Sequence, residues 1–164
     1  MAFSNQLNSP SKRQYLNSLE FTSNDGIIGV NGSLPAPAGT VGQILQAQRA
    51  GGVALSMTTN VPINVISLSL TPGEWMISGN VRVSFSSLGL TAAGWTSINS
   101  ALVPDVSLYA TVGTASAAST NIGIAVPNNP LRIATAQTVY LSALSSFSTG
   151  TATVCGVLAA HRIR

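Results

Sequence analysis

Charge is what this 164-residue chain has least of: 7% of its residues are Asp, Glu, Lys or Arg, against about a quarter in an ordinary soluble domain. Acids are scarcest, with only Glu20, Asp25, Glu74 and Asp105. Four carboxylates on unrelated segments provide no converging pair for acid–base chemistry, and Glu74 and Asp105 lie in or beside turns, where capping is the plainer role. The basic residues Lys12, Arg13, Arg49, Arg82, Arg132, Arg162 and Arg164 give a formal charge of +3. Apart from two pairs they are scattered, and no block of cations interleaved with stacking aromatics exists, so no nucleic-acid partner is expected.

Cysteine is nearly absent too. Cys155 stands alone, which excludes an intrachain disulfide and argues against a stapled secreted scaffold. Long apolar runs are missing: nothing approaches the ~18 to 20 continuous apolar residues of a spanning helix, so no membrane partner is expected. Met1 to Pro10 is polar and no hydrophobic region follows Lys12-Arg13, which argues against a cleaved signal peptide. Neither a nucleophile elbow nor a phosphate-cradling loop occurs. Cys155 and His161 fall on the same face of one extended strand, roughly 20 Å apart at ~3.3 Å per residue, too far for a dyad or a shared metal. Cys155 reads as a small buried hydrophobe. His161 gains a role only if a threefold axis brings three copies together around a metal or an anion. The chain is therefore expected not to be an enzyme, with no catalytic residues, no metal and no cofactor.

What is present is alternation. Trp75, Ile77, Val81, Val83 and Phe85 share one face of a strand that Gly79 interrupts, while Met76, Ser78, Asn80, Arg82 and Ser84 point the other way. Residues 64–70 set Ile66, Leu68 and Leu70 against Ser67 and Ser69, and Thr71-Pro-Gly-Glu74 turns the chain. Residues 105–112 repeat the pattern with Val106, Leu108, Ala110 and Val112 on one face, followed by a Gly/Ala/Ser-rich loop over 113–120. A turn is expected at Pro127-Asn-Asn-Pro130, then a short strand over 131–135. Residues 137–147 and 151–164 read as a long hairpin about Ser148-Thr-Gly150. A strand pattern running to Ile163 implies that the C-terminal segment pairs inside a sheet. Seven or eight short strands without a periodic helix give an all-β fold, an antiparallel β-sandwich or jelly roll, with head-core residues Trp75, Ile77, Val81, Val83, Phe85 and Leu108.

Residues 1–51 lack sustained alternation and end in a Gly/Pro stretch, 31–42, whose prolines favour extended backbone. They read as an extended N-terminal arm and linker, with residues 52–164 as the head. Ser23-Asn-Asp-Gly26 signals a small hairpin within the arm, and 43–49 a short helical turn. Lys12, Arg13, Tyr15 and Phe21 are the arm's candidate contacts to a partner surface. Trp95 follows a small-residue loop, and its pattern fits either core packing or surface recognition.

The segment Leu70-Thr-Pro-Gly-Glu-Trp-Met-Ile-Ser-Gly-Asn-Val-Arg-Val-Ser-Phe85, with Thr138-Val-Tyr-Leu141 and the closing 147–164, resembles small tailed-bacteriophage virion proteins. These carry a trimeric jelly-roll head similar to the tumour-necrosis-factor/C1q type. Gly39-Thr-Val-Gly42-Gln43-Ile-Leu45 resembles the linker before such heads in phage fibre proteins. The resemblance implies a homotrimer on the exterior of a virion assembled in the host cytoplasm, held by its arm to the major capsid protein or another virion protein. It supplies no catalytic residues. It spans capsid decoration or cement proteins, head fibres and tail tips; an arm without heptads or collagen-like repeats fits decoration better than a fibre shaft. The alternative is an adhesin that binds a host cell-surface receptor or glycan through its head.

Overall fold

The computed structural model describes residues 38–39, 41–87, 89–100, 109–116 and 120–163. The chain divides at Leu34/Pro35, and all the described residues fall in the second unit. Nine strands occur among them: β1 (Ile44–Arg49), β2 (Leu55–Met57), β3 (Ile63–Leu70), β4 (Gly73–Phe85), β5 (Gly89–Ser97), β6 (Tyr109–Ser116), β7 (Thr120–Ile133), β8 (Gln137–Phe147) and β9 (Ala152–Arg162). One turn of 3₁₀ helix, Gly51–Val53, joins β1 to β2.

All pairings are antiparallel. One sheet runs β1-β9-β4-β7, with β2 continuing the β1 edge along β9; the other runs β3-β8-β5-β6. With β1 and β2 taken as one broken strand, each sheet has four positions, and every connection except β5–β6 carries the chain from one sheet to the other. That wrapping is a jelly roll, so the all-β sandwich expected from the alternation is the observed fold.

The sheets meet through the faces the alternation marked as apolar. Trp75, Ile77, Val81 and Val83 are fully buried and Phe85 nearly so; Leu141 and Val139 of β8 face them. Leu108, also expected in the core, lies outside the described residues. The interruption at Gly79 has a packing cause. A methyl group there would stand 2.8 Å from Leu141 Cδ1, and one at Gly156 would stand 2.5 Å from the Asn80 carbonyl oxygen and 3.0 Å from Leu141 Cδ2. The two glycines thus form the hollow in which Leu141 seats.

Several local expectations are corrected. The helical turn expected over 43–49 is instead strand β1 from Ile44, because Ile44–Arg49 can satisfy its backbone against His161–Gly156 of β9. The head therefore begins before residue 52. Ahead of β1, Gly39 and Gly42 hold φ of 84° and 86°, and the Gln43 side chain accepts from Gly39 N at 2.8 Å. No turn forms at Pro127–Pro130. β7 continues through with a bulge at 127–128 opposite Ile77–Gly79; Pro127 lies in that bulge, and Pro130 is tolerated because β7 is the sheet's outer strand, where alternate N–H groups face away from the ladder. Residues 113–116, expected in a loop, extend β6. The 137–147 and 151–164 strands exist, but they are not a hairpin: β8 and β9 lie in opposite sheets. The C-terminal strand does pair within a sheet, between β1 and β4.

Candidate interaction surface

Registers fix the outward face of the five-stranded sheet, since directly opposed residues share a side. Across β1, β9, β4 and β7 its rows read Ile44, His161, Met76, Pro130; then Gln46, Ala159, Ser78; then Gln48, Val157, Asn80, Ala125. Cys155, Arg82 and Gly123 form the next row, and Thr153, Ser84 and Asn121 close it with Ser56 of β2. At the opposite end Ile163 continues beyond β9, next to Glu74 and Arg132. Ile44 is 56% exposed and Ile163 49%, with Val41 beside them at 69%. His161, Gln46, Gln48, Ala125 and Pro130 are also exposed; Met76, Val157 and Ala159 are partly so. The middle rows of this face carry no charge; Arg82 lies in the row beyond them, and Glu74 and Arg132 lie at the opposite end.

The charges of the described head mostly serve the fold. Arg49 points between the sheets, where its Nε donates to the Val65 carbonyl at 2.7 Å and its Nη1 to the Val53 carbonyl at 3.3 Å, tying β1 to β3. Arg162 lies 5.3 Å from the centre of the Trp75 ring and donates to Thr71 Oγ1 at 3.0 Å and to the Pro72 carbonyl at 2.6 Å. The Trp75 indole N–H donates to the Thr71 carbonyl at 3.0 Å. One cation therefore locks the turn before β4 to the end of β9. Arg82 reaches from the outward face to Gly51, where its guanidinium occupies the space a side chain would need. Arg132 and Glu74 approach loosely at 3.9 Å.

Trp95 is fully buried, which corrects the expectation of a surface-recognition tryptophan. It is not part of the inter-sheet core either. Gly94 faces Val81 and Val126 across the core, so Trp95 points out of the four-stranded sheet, in one row with Ser142. Ser142 donates to Asn64 Oδ1 at 2.8 Å, and Asn64 donates to Ser100 at 2.6 Å. With no exposed ring face, Trp95 cannot stack on a sugar. A two-residue alternation cannot reveal that an outward side chain will be covered.

Cys155 and His161 do share one face of β9, the cysteine buried and the histidine exposed. No group of three or more His, Cys, Asp or Glu able to hold a metal occurs among the described residues, and no helix among them is long and apolar enough to cross a membrane. The arm candidates Lys12, Arg13, Tyr15 and Phe21, and the hairpin signal at Ser23–Gly26, lie outside the described residues.

No family model matches the chain, and no curated protein does. Among solved structures it is similar to the infectious bursal virus-derived T=1 particle, at 14% identity and a TM-score of 0.49, covering 85% of this chain and 36% of that one. It is also similar to the VP2 subviral particle of infectious bursal disease virus, at 14% identity and a TM-score of 0.48, covering 85% and 37%. The chain thus spans about a third of the length of the chains it matches.

Proposed function

We propose that the chain is a non-enzymatic structural subunit of a phage virion: a capsid decoration or cement protein whose jelly-roll head projects from the particle exterior while its N-terminal arm holds the major capsid protein or another virion protein. The carrying observation is the outward face of the five-stranded sheet, exposed in the single chain and uncharged across its middle rows, with Glu74 and Arg132 at one end and Arg82 toward the other. A dispersed monomer solvates such a face with Lys and Glu; an assembled subunit gives it to neighbours, where charge is depleted. Lys12, Arg13, Tyr15 and Phe21 are the arm residues proposed to grip the capsid, and the oligomer implied by the sequence resemblance is a homotrimer. The mechanism is mass action. Surface buried only in the complete shell favours the assembled state over its parts.

Deletion of residues 2–30 tests the arm. The expected product is a folded head that no longer co-sediments with capsids, and retained co-sedimentation overturns the assignment. Binding of that head to host cells would instead support the adhesin reading, which has lost Trp95 as its candidate contact.

A further inference from the structure

We infer that the outward face of the five-stranded sheet is the surface on which a second copy of this chain packs. Its size fits. Four strands at ~4.8 Å spacing, over the span from Glu74 to Ser84 at ~3.4 Å per residue, present about 700 Å², close to the ~800 Å² each partner gives to a standard stable interface. Its relief fits, because Ala159, Val157, Ser78 and Ala125 occupy the middle rows of β9, β4 and β7, and the longer side chains there, Gln46, Gln48 and Asn80, are uncharged. Apolar Ile44 and Met76 flank His161 at one end, providing the desolvated patch that interface cores need.

Charge sits toward the ends of the face and leaves its middle to another copy. Glu74 and Arg132 lie at the end where β4 begins, and Arg82 lies toward the other end. A second copy laid across the face with its strands reversed sets its Arg82 toward this Glu74–Arg132 pair, and the reciprocal contact forms at the other end. This packing alone makes a pair. In a trimer the face meets a different patch of the next copy, and the mass in solution separates the two arrangements while leaving the face as the contact in either.

The test is light scattering on the full-length protein, with Ala159→Lys and Val157→Lys on the face and Ser67→Lys on the exposed side of the other sheet as a control of equal charge. Far-UV circular dichroism and thermal melts check that each variant folds. The wild type is expected to run as an oligomer that Ser67→Lys leaves intact, while either face variant weakens association by about a hundredfold, the effect of an unpaired charge inside an interface. A monomeric wild type, or an oligomer indifferent to folded face variants, overturns the inference. The readout involves no capsid, so loss of the decoration role leaves it standing, and its own failure leaves capsid binding by the arm untouched.

Discussion

Glycine and threonine at single positions affect the inter-sheet core in opposite ways. Gly156 faces Leu141 with the Asn80 carbonyl alongside, and backbone cannot swing aside as a side-chain tip can. Gly156→Ala is therefore expected to destabilise the head by about 1 to 3 kcal/mol, the ordinary cost of overpacking, read as a lower urea midpoint; an unchanged midpoint contradicts the proposed seat for Leu141. Thr96 presents the opposite case. Its hydroxyl is buried between the sheets with no hydrogen-bond partner, so it carries a desolvation cost without a compensating bond. Thr96→Val keeps the shape, removes the orphan, and should stabilise the head by about 1 kcal/mol. A loss of stability on thermal melting contradicts this account of the hydroxyl.

At the scale of the strands, Arg49 is the clearest cross-link, since it leaves the edge strand β1 to donate to a carbonyl of β3 in the other sheet. Arg49→Met retains most of the apolar stem and deletes both bonds. It should cost about 1.5 to 3 kcal/mol, the range of a hydrogen bond from a charged donor, and it should speed hydrogen exchange at β1 more than at β9. Equal exchange across the two strands would mean that the side chain is not a tie. Which strands exist was readable from the sequence, because alternation at Trp75–Phe85 and through the closing segment is a local signal. Which strands pair was not. The tight link Ser148–Gly150 looks like a hairpin turn, yet the chain uses it to change sheets, a choice made by long-range packing of β8 on β3 and β5. The prolines at 127 and 130 were misleading for a related reason. Proline forbids a central ladder position but not an outer one, and nothing local tells a strand whether it will lie outermost. The 43–49 segment shows the same limit, since Gln, Ala and Arg suit a helix by propensity and become a strand once β9 offers a free edge.

For the molecule as a whole, the few charges have definite places. Arg49 and Arg162 hold sheets, strand ends and turns together, while on the broad face of β1, β9, β4 and β7 the charges Glu74, Arg132 and Arg82 lie toward the ends and the middle rows are left to Ala, Val, Ser, Gln and Asn. The all-β fold was legible in the alternation and an assembled state was the expectation drawn from scarce charge, but which face has uncharged middle rows depends on the registers of strands far apart in the chain. The test closest to the proposed role is an electron cryomicroscopy reconstruction of the virion. It is expected to show many copies of this jelly roll on the outer shell, with Ile44, Met76, Val157 and Ala159 covered by protein. A particle without the chain, or one carrying it with that face open to solvent, would contradict the account.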